Sequence, residues 1–242
     1  MDDAFQIYEY LPIYDPNPAH QKYIQFLWDS CAANYQVGQY TFAFIPFHML
    51  YMSVIYSIMW KLKRFKPVEF GYALIGFRAD QRKRILSADE IFSFHVLNES
   101  QIFDILLLLN FDNNSIGRFK SSVKTRNKAA HPSGVIAFPE QQALDRQITE
   151  MLQNLEAIQS GCPEMLQHLL YTFLESSWDN EINQYGNYQD EINEAFIRQN
   201  LLSLADLKDI VAIDLQPLDD RSHIAEIREL FSAIQATQGE LA

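Results

Sequence analysis

Three polar residues near the middle of the chain could act together on a phosphate group. Asn127 directly follows Arg126, and His131 comes four residues later. A histidine can give or take a proton near neutral pH, and a guanidinium can bind two phosphate oxygens without titrating. Asn127 could hold either residue or contact the phosphate itself. These residue types suit phosphodiester cleavage, in which a hydroxyl loses a proton, a leaving oxygen gains one and the pentavalent intermediate carries extra negative charge.

The spacing of the two main residues limits what one chain can do alone. Arg126 and His131 are five residues apart, which is about 140° around a helix. One copy of the segment therefore does not close a compact site. Two copies that meet across a two-fold axis would supply both residues from both chains.

The segment 126–131, with the sequence RNKAAH, resembles the signature of the HEPN superfamily of helical ribonucleases. That signature is an Arg followed by a polar residue, often Asn, and then by a His after a gap of four to six residues. The resemblance implies an all-α, HEPN-like helical bundle with the catalytic residues Arg126, Asn127 and His131. It also implies a homodimer with its active site at the interface and no cofactor.

The same resemblance implies an activity and a setting. The activity would be metal-independent endonucleolytic cleavage of RNA by attack of the 2′-OH, which leaves a 2′,3′-cyclic phosphate. The setting would be antiviral defence or the action of a toxin, with a protein regulator or an antitoxin as a possible partner. The likeness covers the motif and extends at most over residues 1–160.

The charge distribution leaves room for an RNA partner, although the net charge of −12 would by itself argue against one. Residues 61–131 contain thirteen Lys and Arg against seven Asp and Glu, whereas residues 132–242 contain five against nineteen. The middle of the chain is therefore basic. The acidic C-terminal part could pair with a basic surface, including the chain's own middle segment.

Two basic clusters account for this asymmetry. The first comprises Lys61, Lys63, Arg64, Lys66, Arg78, Arg82, Lys83 and Arg84. The second surrounds the motif, and three of its lysines recur every four residues, so they share one face of a helix. We predict that RNA is bound by Lys120, Lys124, Lys128 and Arg118. The alternative is that these residues form a solvated helix face.

Composition and periodicity predict helices throughout. Gly (8) and Pro (9) are scarce, and no strand-like alternation exceeds four or five residues. Capping residues are expected at Ser87 with Glu90, at Ser100 and at Ser115. The expected helices are 19–35, 40–65, 88–97, 100–109, 116–130, 140–159, 163–178, 188–200 and 219–236, with a short helix within 202–211. The 140–159 helix should bury Leu144, Ile148, Met151, Leu155 and Ile158.

The segment 40–65 is the most apolar part of the chain and is long enough to span a bilayer. Pro46 and His48 argue against a membrane span. So does a polar stripe at helical spacing, formed by Ser53, Ser57, Lys61 and Arg64. We predict a central, almost fully buried helix, with His48 as a hydrogen-bonded core histidine. A membrane-associated protein is the weaker alternative.

Gly161-Cys162-Pro163 is a clear break, and it divides the chain into a HEPN-like nuclease domain over 1–160 and an acidic helical region over 161–242. The resemblance does not reach the second region. That region could complete the bundle, bind a regulator or hold the nuclease inactive.

Cysteine usage and the N-terminus predict a cytoplasmic protein without a membrane span. Cys31 and Cys162 are far apart and form no CxxC motif, so we expect both to be buried in a reducing compartment. The N-terminus lacks the basic and apolar segments of a signal peptide. The six His residues have no metal-ligand spacing, so we predict no metal site.

A second function class competes with the nuclease. The chain could be a catalytically silent helical module that binds RNA or a protein. In that case Arg126 would pair with an acid and His131 would cap carbonyls at a helix end.

Overall fold

Helices make up the structure, as the composition predicts. The computed structural model describes residues 3–132, 134–179 and 185–241. Within these ranges there is no β-strand, and one isolated antiparallel bridge joins Pro12 to Ser203. The all-α class is therefore confirmed, while the HEPN-like arrangement of the helices stays a prediction.

The chain forms two units. Unit 1 comprises residues 1–8 and 17–161, and unit 2 comprises residues 9–16 and 162–242. The division after Gly161 lies next to the predicted boundary. The sequence predicts that residues 9–16 lie in the first domain, whereas the structure groups them with unit 2. The reason is local pairing, because the Ile13 N–H donates to the carbonyl of Leu202 at 2.9 Å.

Unit 1 contains eight α-helices among its described residues, joined by short 3-10 turns at Leu74–Gly76, Ile91–Val96 and Leu106–Leu109. The helices are α1 (Pro18–Gln36), α2 (Tyr40–Phe65), α3 (Pro67–Ala73), α4 (Ala79–Leu86), α5 (Glu99–Ile105), α6 (Asn113–Phe119), α7 (Ser121–Ala130) and α8 (Gln141–Gln159). A further 3-10 turn, Asp3–Glu9, precedes α1.

Helix α2 is the centre of unit 1 and packs against α1, α7 and α8. By length and composition it could cross a membrane, but 78% of its most apolar window is buried. Even Ser53, Ser57 and Lys61 of the polar stripe are buried. The two serine hydroxyls donate to the carbonyls of Met49 and Val54 in the same helix. This burial matches the predicted core helix.

Three predicted helix starts are wrong. Ser87 ends α4, and its hydroxyl donates to the carbonyl of Lys83, so it does not cap a helix over 88–97. Asn98, not Ser100, caps α5, since its side chain accepts from the Ser100 N–H. Asp112, not Ser115, caps the basic region. That region is two helices, α6 and α7, which meet at Lys120 instead of forming one helix over 116–130.

The predicted burial of the α8 stripe and of the two cysteines is confirmed. All five residues of the predicted stripe, from Leu144 to Ile158, are buried. Cys31 and Cys162 are buried free thiols, and burial raises the pKa of Cys31 to about 12.

Unit 2 contains α9 (Pro163–Asp179), α10 (Tyr188–Glu191), α11 (Leu204–Ile210) and α12 (Ile224–Leu241). A π-helical segment, Ile192–Arg198, continues α10, and the Phe173 and Phe196 rings stack at 4.6 Å between centroids. Ser203 and Asp206 form a reciprocal capping box at the start of α11. The bridge between Pro12 and Ser203 joins the 9–16 segment to the residue that caps α11, and so to the helices of unit 2.

Candidate functional site

Arg126 lies in the last half of α7 and forms an ion pair with Glu99, the first residue of α5. The Nη2 atom of Arg126 is 2.6 Å from Oε2 of Glu99. Both side chains are about a quarter exposed, at 28% and 24%. The pair therefore lies at the border between the core and solvent, where charge-assisted hydrogen bonds are stronger than they are on an open surface.

His48 of α2 contacts the same carboxylate oxygen from the buried side. Its Nε2 atom is 3.0 Å from Oε2 of Glu99, and the side chain is 1% exposed. Since a carboxylate only accepts, Nε2 carries the proton in this hydrogen bond. Nδ1 is buried and has no hydrogen-bond partner among the described residues. His48 is thus the hydrogen-bonded core histidine that the sequence predicts, and its partner is part of the candidate site.

The charge state of Glu99 reflects two opposing effects. Burial raises the pKa of this carboxyl, whereas the hydrogen bonds and the electrostatic effect of His48 and Arg126 lower it, and the lowering dominates. Glu99 is therefore ionised at neutral pH. An ionised Glu99 fixes one side of the Arg126 guanidinium, and other N–H donors of that group could still bind phosphate oxygens.

A cleft of about 610 Å³ opens beside this cluster. Among the residues that line it, Glu99, Arg126 and Asn127 are polar, and Tyr23, Tyr56 and Phe92 are aromatic. Such a volume falls within the range of small-molecule and cofactor sites, roughly 300–1,000 Å³. The cleft combines a fixed positive charge with flat apolar surfaces.

Arg126 and Asn127 line the cleft, but His131 does not. His131 is the residue after α7, with extended backbone and an exposed side chain, and its N–H donates to the carbonyl of Asn127 at 3.0 Å. One chain therefore brings two of the three predicted catalytic residues to the cleft.

The two residues after Gly134, Val135 and Ile136, are apolar and exposed, at 75% and 70%.

The four predicted RNA-binding residues lie outside the cleft lining. Lys124 and Lys128 are exposed on α7. Each is two residues from Arg126 and so lies about 160° away around the helix. Lys120 is engaged by Asp104, with 2.5 Å between Nζ and Oδ1. Arg118 lies over the ring of Phe119, with its guanidinium carbon 5.4 Å from the ring centroid.

Part of the first basic cluster has a structural role. Lys61 is buried at 1% exposure. Lys63 donates to the carbonyls of Ile85 and Ala88, at 3.1 and 2.9 Å. Lys66 donates to the carbonyl of Leu108. Lys63 and Lys66 thus hold backbone segments of unit 1 together, and Lys61 is buried. The positive charge counted in the sequence therefore exceeds the positive charge that a polyanion could contact.

Within the described ranges, no group of three or more His, Cys, Asp and Glu side chains could hold a metal ion. The polar residues of the cleft lining include one carboxylate (Glu99), one guanidinium (Arg126), one imidazole (His95) and two amides (Asn98 and Asn127). That set suits an anionic, hydrogen-bonding ligand better than a cation.

Sequence reasoning missed Glu99 as a site residue, as well as the aromatic residues of the cleft. Glu99 is 51 residues from His48 and 27 from Arg126, so no local spacing connects the three. The usable signal was indirect, because a buried histidine and a half-buried arginine both need an acceptor.

Comparison of the chain with protein-family models, with curated proteins and with solved structures finds no match in any of the three. The HEPN resemblance therefore depends on the motif 126–131 alone.

Proposed function

We propose that the protein is a metal-independent endoribonuclease that cleaves RNA by attack of the 2′-OH on the adjacent phosphate. The observation that carries this proposal is the placement of Arg126 in a cleft, with its guanidinium held by Glu99 and with Asn127 beside it. A guanidinium oriented in advance is suited to the extra charge of a pentavalent phosphorane. A role in defence or as a toxin follows only from the HEPN resemblance, and a cytoplasmic location only from the cysteine usage and the N-terminal sequence.

In this proposal His131 comes from a second copy of the chain. Its exposed position after α7 leaves it accessible to a partner, and Val135 and Ile136, four and five residues later in the chain, are exposed apolar side chains. His131 would protonate the leaving 5′-oxygen or accept the 2′-OH proton, and Arg126 of the other copy would hold the phosphate. Glu99 and His48 position Arg126 and do not touch RNA.

The first test measures cleavage of single-stranded RNA in the presence of EDTA. Arg126→Ala and His131→Ala should each abolish cleavage, and products of the wild-type protein should end in a 2′,3′-cyclic phosphate. Arg146→Ala is the matched control, because it changes an exposed cation on α8 that lies outside the cleft lining and outside both basic clusters. Cleavage that survives both active-site substitutions contradicts the proposal.

A second test asks whether the site is shared between copies. When the Arg126→Ala and His131→Ala proteins are mixed in equal amounts, random exchange gives half heterodimers, each with one intact cross-chain site. The mixture should recover about a quarter of the wild-type activity. If no activity is recovered although exchange of chains is verified, Arg126 and His131 do not form a site shared between two copies.

The second candidate is a helical module that binds RNA or a protein without cleaving it. The Arg126–Glu99 ion pair and the absence of His131 from the cleft favour it, since a structural arginine would make the same contact. Under this reading no RNA is cleaved, and RNA or partner binding persists in the His131→Ala protein.

A further inference from the structure

Three aromatic residues line the cleft, and the rings of Tyr23 and Tyr56 each stand at about a right angle to the ring of Phe92. The Tyr23 ring is 5.3 Å from the Phe92 ring with an interplanar angle of 88°. The Tyr56 ring is 6.3 Å from the same ring at 90°. The three side chains thus form an aromatic corner, in which a flat ring could stack on one face and meet another ring edge-on.

The aromatic corner adjoins the charged cluster. Burial raises the pKa of Tyr56, and the negative charge of Glu99 raises it further, while Arg126 acts in the opposite sense. The Tyr56 phenol is therefore within the electrostatic reach of both charged groups and stays protonated. A ligand in the corner would have the Arg126 guanidinium beside it.

Two further features favour a planar, polar ligand over an aliphatic one. Asn98 lines the cleft, and its side-chain oxygen already accepts from the Ser100 N–H, which leaves its amide N–H donors for the edge of a base. Met49 and Met52 add polarisable apolar surface to the same cleft. An aromatic corner that shares one cleft with hydrogen-bonding amides and a guanidinium matches a nucleotide.

We propose that the aromatic corner binds one unpaired nucleobase of single-stranded RNA, next to the phosphate held by Arg126. This inference deepens the proposed function and depends on it for the identity of the ligand. Stacking on aromatic side chains is how proteins bind splayed bases of single-stranded RNA. A base in a duplex keeps its neighbours on both faces, so the subsite would select unpaired segments.

The test measures binding of nucleoside 3′-monophosphates to the full-length protein, with ribose 5-phosphate as the ligand that lacks a base. Methyl-¹³C methionine labels report directly, because Met49 and Met52 line the cleft whereas Met151 is buried in α8. Nucleotides should shift the Met49 and Met52 signals and leave Met151 unchanged. Ribose 5-phosphate should bind more weakly by about 5- to 150-fold, the range expected for loss of one base stack.

Variants separate the subsite from a general effect on folding. Phe92→Leu and Tyr23→Leu should each weaken nucleotide binding by about 5- to 150-fold without changing ribose 5-phosphate binding. Phe26→Leu should change neither, because Phe26 is an exposed aromatic residue on the same helix as Tyr23 and does not line the cleft. A circular dichroism spectrum identical to that of the wild type shows that each variant is folded.

Three results would overturn the inference. They are equal binding of nucleotides and ribose 5-phosphate, unchanged nucleotide binding in both cleft variants, and no shift of Met49 or Met52 at millimolar nucleotide. The nuclease proposal fails separately. If RNA is cleaved in EDTA at a rate that Phe92→Leu does not change, the subsite inference fails and the nuclease proposal stands. If nucleotides bind in a base-dependent way but no RNA is cleaved, the nuclease proposal fails and the subsite inference stands.

Discussion

Replacing Glu99 by Gln tests whether the His48–Glu99–Arg126 cluster has the energetic role that its geometry indicates. One carboxylate oxygen accepts from both partners, at 3.0 Å from Nε2 of His48 and 2.6 Å from Nη2 of Arg126. Gln keeps the shape and an acceptor oxygen but removes the negative charge. The substitution therefore weakens two contacts without creating a cavity.

The expected loss of stability follows from the hydrogen-bond types. A hydrogen bond to a charged group contributes about 1.5–3 kcal/mol, and a neutral one about 0.5–1.5 kcal/mol. Converting both hydrogen bonds of Glu99 from charged to neutral therefore costs about 2–3 kcal/mol. Because the carboxylate is about a quarter exposed, solvent screening lowers this cost to about 2 kcal/mol. We expect Glu99→Gln to lower the free energy of unfolding of unit 1 by that amount at neutral pH.

The pH dependence has a defined sign. The folded-state pKa of Glu99 is lowered, so the unfolded state binds more protons in the window between the two pKa values. The stabilisation is complete above the unfolded-state value of about 4.3 and is lost as pH falls through the folded-state value. The difference between wild type and Glu99→Gln should therefore shrink in acid.

The assay is urea unfolding followed by tryptophan fluorescence in a Trp178→Phe background, where Trp28 and Trp60 of unit 1 are the remaining reporters. Glu69→Gln is the matched control, because Glu69 is an exposed carboxylate on α3 and should cost less than about 0.5 kcal/mol. If Glu99→Gln costs no more than this control at neutral pH, or if its cost is the same in acid, the reasoning about the cluster is refuted.

Four further substitutions, two in each unit, test helix packing in unit 1 and helix capping in unit 2. A Cβ atom at Gly161 would lie 2.8 Å from Cε2 of Phe111 and closer still to Cζ, so Gly161→Ala should destabilise unit 1 by about 1–3 kcal/mol in urea unfolding. Gly117→Ala on α6 has open space around its Cβ position and should instead stabilise unit 1, by about 0.5–1 kcal/mol. In unit 2, Ser203→Ala removes the capping box of α11 and should cost about 1 kcal/mol by thermal denaturation, whereas Ser232→Ala on the exposed side of α12 should be nearly neutral.

Strong local patterns made much of the fold predictable. Helix α8 has an apolar stripe with an unbroken helical period and a proline before its start, and its predicted extent and buried residues are confirmed. Helix α2 was predictable because its length and apolar content leave few polar positions that could face water. Its Pro46 lies inside the helix and did not end it.

The errors came from serines, whose side chains have more than one local role. A Ser near acidic residues can cap a following helix, but Ser87 instead donates back to Lys83 at the end of α4. Likewise, the hydroxyl of Ser122 donates to the carbonyl of Phe119 where α6 and α7 meet, and no Gly or Pro marks this junction. Which backbone group a serine bonds depends on neighbours that only the folded chain provides.

The site was only half predictable for a geometric reason. The motif lies on one helix, so its spacing gives the relative directions of Arg126, the lysines and His131. Those directions already imply that Lys124 and Lys128 face away from Arg126, and the structure places them outside the cleft. The partners Glu99 and His48 come from other helices, so the spacing of residues along α7 cannot predict them.

The exposed apolar residues after His131 set the strength of the dimer that the nuclease proposal needs. Burying Val135 and Ile136 on both copies would yield about 6–12 kcal/mol, from about 1.5–3 kcal/mol for each side chain. Association itself costs an estimated 4–15 kcal/mol. These terms nearly cancel, so a dimer held by these residues alone would be weak. An RNA strand whose phosphate contacts Arg126 of one copy and His131 of the other would bind only the dimer and shift this balance by mass action. Cleavage would then depend on protein concentration, because each active site needs Arg126 of one copy and His131 of the other.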